Sequence, residues 1–375
     1  MKGGGLLAVG LVLLAGCATI GDRLESARTP AAIAQATADF YVRDRGDASC
    51  CVAVVSPAGT VFAQAGGATP RTLFRTGSLS KLFFHSALRR LEADGRLNLD
   101  RPVTAYSKLD LPPEYSTITL RDLLHNRSGL PREFLLKFEP LSMCTAVSCG
   151  AFGTDVYGAF QTREDFARET WRPWWRNAAR HKREIYSNVG FGLLGTVAED
   201  ALGQPVERIL QGTVVASLGL TDTTYAPRPD QTNRVARACA GELPWFVPRG
   251  WDVPEHRLGA ALRATGGLYS SAADCAVFCA SYWRVLDEQL RERLLDAYHD
   301  DQLYGLLRAH ALPSGRRVLY RAGMVYGGAS FVGFDPVDRT VLIVLRNVTS
   351  WPDDRGFEVM DALAARAGGT PAPTE

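Results

Sequence analysis

Ser78 and Lys81, three positions apart, have the side chains that acyl transfer by a serine requires. They belong to the segment FRTGSLSK at 74–81, and on a helix this spacing places both side chains on one face. Only five of the 42 basic residues are lysines. A desolvated lysine can be neutral near pH 7 and accept a proton from a hydroxyl, whereas an arginine stays charged. The pair therefore predicts a nucleophile, Ser78, and its base, Lys81.

A Ser-x-x-Lys spacing also arises by chance, and the alternative is a surface lysine on an amphipathic helix. A second motif, Tyr186-Ser187-Asn188, favours the catalytic interpretation. A tyrosine phenol near a lysine can relay a proton, and an asparagine amide can orient the lysine and bind a substrate amide. We therefore predict that Tyr186 is catalytic and that Asn188 binds substrate.

The elements that must position these residues indicate a sheet built from both ends of the chain. Alternating residues predict a hairpin at 51–55 and 61–63, and two further antiparallel strands at 330–336 and 340–345. Helices are predicted at 31–41, 79–92, 120–124, 189–201, 271–285 and 357–366. This order predicts an α+β fold with a mainly helical lobe from the middle of the chain, and Ser78 at the boundary.

The order of the motifs resembles the serine β-lactamase family, which includes class C β-lactamases, D-alanyl-D-alanine carboxypeptidases and family VIII-type esterases. The resemblance covers about 40–365 and adds to the two motifs the segments Gly95–Asp100, Ile118–Leu124, Ser128–Leu130, Leu218–Thr223 and Gly266–Ser271. It implies the β-lactamase/transpeptidase-like fold. It also implies that Ser78 is acylated, that Lys81 is the base, and that Tyr186 with Asn188 forms the second catalytic element.

The third motif departs from the usual pattern of that family. Where the family has Lys-Thr-Gly or His-x-Gly on the strand beside the site, this chain has Arg321-Ala322-Gly323. Arg321 can bind a substrate carboxylate through two hydrogen bonds but cannot supply a proton, and Ala322 lacks a hydroxyl that would help. Gly323 leaves room for substrate beside the backbone. The backbone N–H groups of Ser78 and Met324 are expected to form the oxyanion hole.

These residues predict a hydrolase that forms an acyl-enzyme with a small ester, an amide or a cell-wall-peptide-like substrate. Two alternatives stay open. The first is a β-lactamase or D-Ala-D-Ala carboxypeptidase, and the second is a non-hydrolytic protein that binds peptidoglycan or β-lactams with a degenerate third motif. The six histidines have no metal-ligand spacing, so neither a metal nor another cofactor is predicted. A net charge of +2 gives no electrostatic argument for nucleic acid binding.

The first residues are typical of a bacterial lipoprotein. Lys2 and the apolar run 6–15 resemble a secretory signal and are too short to span a bilayer, and LAGC at 14–17 resembles a lipobox. We predict a signal peptide at 1–16, lipidation of Cys17 and a tether at 17–30. The domain would then be anchored to the outer membrane and lie in the periplasm. The alternative is a plain signal peptide with an incidental cysteine.

A single hydrolase domain is predicted at 31–367, followed by a disordered tail at 368–375. Its sheet lobe would comprise about 31–75 and 260–367, and its helical lobe about 76–259. The Trp-rich stretch 132–183 is interpreted as a substrate-facing insertion. Of the eight cysteines, seven follow Cys17, so at least one is expected to be unpaired or bridged to another chain. Cys144 and Cys149 are the predicted bridge, whereas Cys275 and Cys279 are expected to be buried thiols.

Overall fold

A seven-stranded antiparallel sheet runs through the structure, a computed structural model that describes residues 19–133, 162–241, 247–254, 258–292, 303–304, 306–350 and 355–367. The strands, with the short ones outside the sheet included, are β1 (Cys50–Ser56), β2 (Gly59–Ala65), β3 (Phe74–Arg75), β4 (Cys239–Ala240), β5 (Tyr269–Ser270), β6 (Leu303–Tyr304), β7 (Leu307–Ala311), β8 (Arg317–Val325), β9 (Gly328–Asp335), β10 (Thr340–Arg346) and β11 (Val348–Thr349). The sheet order is β2-β1-β10-β9-β8-β7-β6. The N-terminal hairpin therefore pairs with C-terminal strands, as predicted.

The helices, in chain order, are α1 (Ile20–Glu25), α2 (Pro30–Asp39), α3 (Ser80–Ala93), α4 (Leu120–Leu124), α5 (Arg163–Thr170), α6 (Pro173–Arg180), α7 (Asn188–Leu202), α8 (Val206–Leu210), α9 (Ala216–Leu218), α10 (Ala272–Glu292) and α11 (Arg355–Ala367). Each of the six predicted helices is present, and α10 continues seven residues further than the sequence indicated. Helices α3 to α9 come from the middle of the chain. The α+β fold is confirmed, whereas the predicted lobe boundaries stay predictions.

Alternate side chains of β1 enter two different hydrophobic cores. Val52 and Val54 pack with α1, α2 and α11 on one face of the sheet. Cys51 and Ala53 pack on the other face, in the core that contains α3, α7 and α10. Because successive side chains of a strand point to opposite faces, a strand buried on both sides is apolar throughout. The core on the second face contains α3, the helix that follows the predicted nucleophile Ser78.

The predicted tether is wrong from Thr19 onward, because residues 20–25 form the helix α1. The Thr19 hydroxyl accepts a hydrogen bond from the Asp22 backbone N–H, and the Asp22 carboxylate accepts one from the Thr19 N–H. Ile20 and Leu24 lie on one face of this capped helix and are buried against α2 and α11. Ile20 and Leu24, four residues apart, thus attach this segment to the core, whereas its position after the predicted signal peptide had indicated a tether.

The interpretation of 132–183 as an insertion is wrong for 162–183, which forms α5 and α6. Trp175 is completely buried, and its ring lies 6.0 Å from that of Phe166, so this segment is part of the core. Cys275 and Cys279 are buried thiols in α10, as predicted. The predicted signal peptide, the lipidated Cys17, the Cys144–Cys149 bridge and the tail at 368–375 lie outside the described residues. Within the described ranges, the structure contains no helix with the length and apolarity that a membrane span requires.

Hydrogen bonds join two of the motifs that carried the resemblance, 218–223 and 266–271. They centre on the buried carboxylates of Asp222 and Asp274. The Asp222 carboxylate accepts from Arg71 at 2.9 Å and from Arg234 at 2.8 Å. The Asp274 carboxylate accepts from the Asp222 backbone N–H at 2.7 Å and from Thr223 at 2.8 Å. These bonds join the segment 218–223 to the start of α10. The Thr223 and Ser270 hydroxyl oxygens, 2.9 Å apart, join it to the segment 266–271, and Ser270 pairs with Phe74 of β3, just before the turn that carries Ser78.

Candidate active site

The turn before α3 places Ser78 between the sheet and the helical lobe. The Thr76 backbone N–H and hydroxyl both donate to the Leu268 carbonyl, at 3.0 and 2.8 Å. On the other side, the Thr76 carbonyl accepts from the Ser330 hydroxyl of β9 at 2.8 Å. Gly77 then adopts φ +53°, and a short 3-10 turn leads into the helix. Ser78, the predicted nucleophile, therefore follows backbone that is hydrogen-bonded on two sides, to the segment 266–271 and to β9.

Gly77 lies directly against the backbone of Met324 in β8. A Cβ added at Gly77 would lie 2.7 Å from the Met324 nitrogen and 2.8 Å from its carbonyl carbon. This close approach brings the two predicted oxyanion-hole residues, Ser78 and Met324, to the same place. Gly323 permits a second close approach of β8 to this turn, because a Cβ there would lie 2.4 Å from the Thr76 carbonyl oxygen. The space that Gly323 leaves open is thus occupied by the serine turn.

We expect Gly77→Ala to lower the free energy of unfolding by about 2–4 kcal/mol, because the Met324 backbone cannot yield to a Cβ. The matched control is Gly95→Ala, since Gly95 has φ +69° but nothing within 4 Å of an added Cβ. In the control we expect the free energy of unfolding to fall by only about 1 kcal/mol, from the left-handed backbone conformation alone. Urea denaturation of both variants gives the comparison, and equal losses would contradict the close approach.

Ser78, Lys81 and Tyr186 form one hydrogen-bonded cluster. The Ser78 hydroxyl oxygen lies 2.7 Å from the Tyr186 phenolic oxygen and 3.3 Å from the Lys81 ammonium nitrogen. Lys81 is completely buried, and it also donates to the Asn188 side-chain oxygen at 2.8 Å and to the Thr265 carbonyl. These three acceptors match the three donors of a protonated lysine. The geometry therefore favours Tyr186, the nearer group, as the base, whereas the sequence predicted Lys81.

The charges around Tyr186 make this assignment chemically reasonable. Burial lowers the pKa of Lys81 to about 8, an effect that the charge of Arg321 strengthens and that of Tyr186 opposes. Burial alone would raise the pKa of Tyr186, but the positive charges of Lys81 and Arg321 outweigh it and lower this pKa to about 8. The two groups share a proton within one cluster, so they titrate as a coupled pair. A basic form is accessible close to neutral pH.

Arg321 is buried against the ring of Tyr186. Its guanidinium carbon is 4.6 Å from the ring centroid, and Nη1 donates to the Leu306 carbonyl at 2.9 Å. The residue is only 6% exposed. This placement supports an electrostatic function, which is to stabilise the ionised phenol. The interpretation that Arg321 binds a substrate carboxylate stays a prediction.

Arg132 and Glu133 were not among the predicted site residues, yet both lie in the site. The Arg132 guanidinium carbon is 5.2 Å from the Tyr186 ring centroid. The buried Glu133 carboxylate accepts a hydrogen bond from the Asn188 amide nitrogen at 2.9 Å. The available signal was their position directly after Ser128–Leu130, a segment that the resemblance had already selected. Within the described ranges, no cluster of three histidine, cysteine, aspartate or glutamate side chains is arranged to bind a metal ion.

The chain matches the sequence model of the β-lactamase family over residues 35–366. One curated relative is the D-alanyl-D-alanine-carboxypeptidase/endopeptidase AmpH of Escherichia coli (strain K12), 29% identical over 219 residues, 56% of this chain and 49% of the relative. The chain therefore spans about half the length of this relative. A β-lactamase of Lysobacter lactamgenus is 23% identical over 332 residues, 80% of this chain and 79% of the relative.

Solved structures share the fold over nearly their whole length. The D-amino acid amidase from Ochrobactrum anthropi SV3 in complex with L-phenylalanine amide superposes with a TM-score of 0.69 at 23% identity, over 91% of this chain and 99% of that one. A class C β-lactamase from Rhodobacter sphaeroides gives a TM-score of 0.66 at 19% identity, over 89% and 99% of the two chains. At these identities the agreement establishes the architecture, and the chemistry has to be argued from the residues of the site.

Proposed function

The chain belongs to the β-lactamase family, and we propose that it is a serine hydrolase that forms an acyl-enzyme at Ser78. One observation carries the proposal: the Ser78 hydroxyl oxygen lies 2.7 Å from a tyrosine whose pKa is lowered to about 8, and 3.3 Å from a buried lysine. A serine hydroxyl is a weak nucleophile without an adjacent base, and this cluster supplies one.

In the proposed first step, the Ser78 oxygen attacks the substrate carbonyl carbon while its proton moves to the Tyr186 phenolate. The backbone N–H groups of Ser78 and Met324 stabilise the negative oxygen of the tetrahedral intermediate. When the intermediate collapses, Tyr186 returns the proton to the leaving amine or alcohol. In the second step Tyr186 takes a proton from a water molecule, whose oxygen attacks the acyl carbon. The bond between the acyl carbon and the Ser78 oxygen then breaks as Tyr186 returns this proton to that oxygen, which releases the acid and restores the phenolate. Lys81 stays protonated and stabilises the phenolate throughout.

We propose that the natural substrate is a small amide or a peptide. The names of the relatives support this class, since they describe a D-alanyl-D-alanine carboxypeptidase, β-lactamases and a D-amino acid amidase. Ester cleavage is chemically easier, so activated esters serve as sensitive probes of the same site. A second candidate, a non-hydrolytic binding protein, is favoured by the third motif, where Ala322 has no hydroxyl and Arg321 is buried.

A panel of p-nitrophenyl esters, D-amino-acid amides and nitrocefin separates these functions. Turnover of the esters and amides, with a transient acyl adduct on Ser78 detected by mass spectrometry, supports the hydrolase. A stable penicillin adduct without turnover of any substrate supports the binding protein. If neither a fluorophosphonate nor a penicillin labels Ser78, the acyl-enzyme proposal is refuted.

We also propose that Cys17 carries a lipid and anchors the domain to the periplasmic face of the outer membrane. The LAGC sequence at 14–17 supports lipidation, and Ala18 after the cysteine favours the outer membrane. The described residues begin at Thr19, two residues after Cys17, and α1 starts at Ile20, so the lipid would hold the domain close to the bilayer surface.

We expect the wild-type chain expressed in a bacterium to incorporate a clickable palmitate and to enter the detergent phase of Triton X-114. Cys17→Ser should lose both properties, because its hydroxyl is not lipidated. Cys50→Ser, at a buried cysteine of β1, is the matched control and should keep the label. Labelling of the Cys17→Ser protein would overturn the anchor.

A further inference from the structure

We propose that Glu133 is a positioning residue for the reaction: it fixes the Asn188 amide, and through it holds Lys81 against Ser78 and Tyr186. This inference rests on the proposed acyl transfer at Ser78. It assigns a function to a carboxylate that neither the motifs nor the mechanism above required.

The hydrogen-bond chemistry allows only one orientation of the Asn188 amide. On one side lies Lys81, which can only donate, so the side-chain oxygen of Asn188 must face it, at 2.8 Å. The amide nitrogen then points to the opposite side, where the Glu133 Oε1 accepts its hydrogen bond at 2.9 Å. An ionised carboxylate can only accept. A donor-only group and an acceptor-only group therefore fix Asn188 from both sides, and no flipped amide satisfies both contacts.

The backbone just before Glu133 is hydrogen-bonded to the Tyr186-Ser187-Asn188 motif. The Asn188 N–H donates to the Arg132 carbonyl at 2.9 Å, and the Ser187 hydroxyl donates to the Pro131 carbonyl at 2.6 Å. Earlier in the same segment, the Asn126 side-chain oxygen accepts from the Ser187 N–H at 3.0 Å. The carboxylate is thus held in place before substrate binds, which is the condition for accurate positioning.

The charge of Glu133 also favours one position of the proton that the cluster shares. Its carboxylate is 3% exposed, 3.6 Å from the Arg132 guanidinium, and close enough to Lys81 to raise the pKa of that amine. Lys81, Arg132 and Arg321 are the cations around Tyr186. Because the negative charge of Glu133 acts mainly on Lys81, it favours the state in which Lys81 is an ammonium and Tyr186 a phenolate. The competing state, a neutral Lys81 amine beside a neutral Tyr186 phenol, is disfavoured. The charge of Glu133 thus adds to the preference for Tyr186 over Lys81 as the base.

Kinetics of four variants test the positioning. We expect Glu133→Ala to lower kcat about 10- to 100-fold with KM within about 3-fold, since displaced catalytic groups affect the reaction more than binding. Glu133→Gln keeps an acceptor oxygen for Asn188 and should stay within about 5-fold of wild type. The double variant Glu133→Ala/Asn188→Ala should be no slower than Asn188→Ala alone. Additive losses would overturn the proposal, as would a Glu133→Ala enzyme that reacts like wild type.

A spectroscopic titration tests the proton placement without any substrate, so it remains informative if the proposed hydrolase activity fails. Wild type should show a tyrosinate absorbance step at 295 nm near pH 8 that Tyr186→Phe removes. In Glu133→Gln this step should be smaller, because more of the deprotonated cluster carries the neutral amine. Glu114→Gln is the matched control, since Glu114 is also a mostly buried carboxylate but bonds to Arg176 and Arg180 outside the site. An unchanged step in Glu133→Gln would refute the proton placement.

Discussion

Replacement of Ser78 by alanine is expected to lower kcat/KM for a p-nitrophenyl ester by at least about 10³-fold, to a residual rate that comes from binding and the oxyanion hole. The variant removes the oxygen that forms the acyl-enzyme and leaves every other group of the site in place. Ser78 is only partly buried, so the loss of its hydroxyl should lower the free energy of unfolding little. The measurement is the steady-state rate over the substrate panel at pH 8.

Ser116→Ala is the matched control, because Ser116 is an exposed serine whose hydroxyl bonds only to a neighbouring backbone carbonyl. It should react like wild type. Mass spectrometry gives an independent result: a fluorophosphonate adduct should form on the wild-type chain and not on Ser78→Ala. If Ser78→Ala keeps more than one tenth of the wild-type rate, another nucleophile performs the reaction and the acyl-enzyme at Ser78 has to be abandoned.

Tyr186→Phe has the second largest expected effect, a loss of about 10²- to 10⁴-fold in kcat/KM, the range for removal of a general base. Phenylalanine keeps the ring on which Lys81 and Arg321 stack, so the cations stay in place while the proton acceptor is removed. In wild type, kcat/KM should rise as the pH increases through about 8, because the cluster must lose a proton before Ser78 can be activated. This limb of the pH profile should be absent in the variant.

Lys81→Arg separates the two candidate bases. Arginine keeps the positive charge and cannot accept a proton, so a Lys81 base requires a complete loss in this variant. Tyr106→Phe controls for the loss of a phenol elsewhere, since the Tyr106 hydroxyl bonds to the Asn98 backbone away from the site. If Tyr186→Phe stays active while Lys81→Arg is inactive, the base is Lys81, as the sequence indicated, and the assignment from the distances is wrong.

The tyrosinate titration is interpretable because of how the other buried phenols are placed. Burial raises the pKa of Tyr115, Tyr225 and Tyr282 well above the usual range, so these residues do not ionise near pH 8. Tyr186 is partly buried and lies among cations, which reverse the direction of its pKa shift. Transfer out of water therefore makes three tyrosines inert, whereas the charges of Lys81 and Arg321 keep Tyr186 reactive.

Much of the fold was predictable because its signals are local. Periodicity located the hairpin, the C-terminal strands and the long helices, since each pattern depends only on residues within one element. The pairing of Ser78 with Lys81 is of the same kind, because two residues three apart on one helix must share a face. The segment 20–25 shows the limit of this reasoning: its helix signal was short, and only contacts with α2 and α11 give it a place in the core.

By itself, the sequence predicted the nucleophile, the lysine beside it and the Tyr186-Ser187-Asn188 motif that contacts them, since these predictions depend on residue type and short spacing. The tertiary structure decided which group is the nearer base, because the 2.7 Å contact joins Ser78 to a residue 108 positions away. It also decided that Arg321 lies against the Tyr186 ring and that Glu133 reaches Asn188 across 55 positions. Distances and charges between remote segments arise only when the chain has folded, and they set the proton affinities on which the chemistry depends.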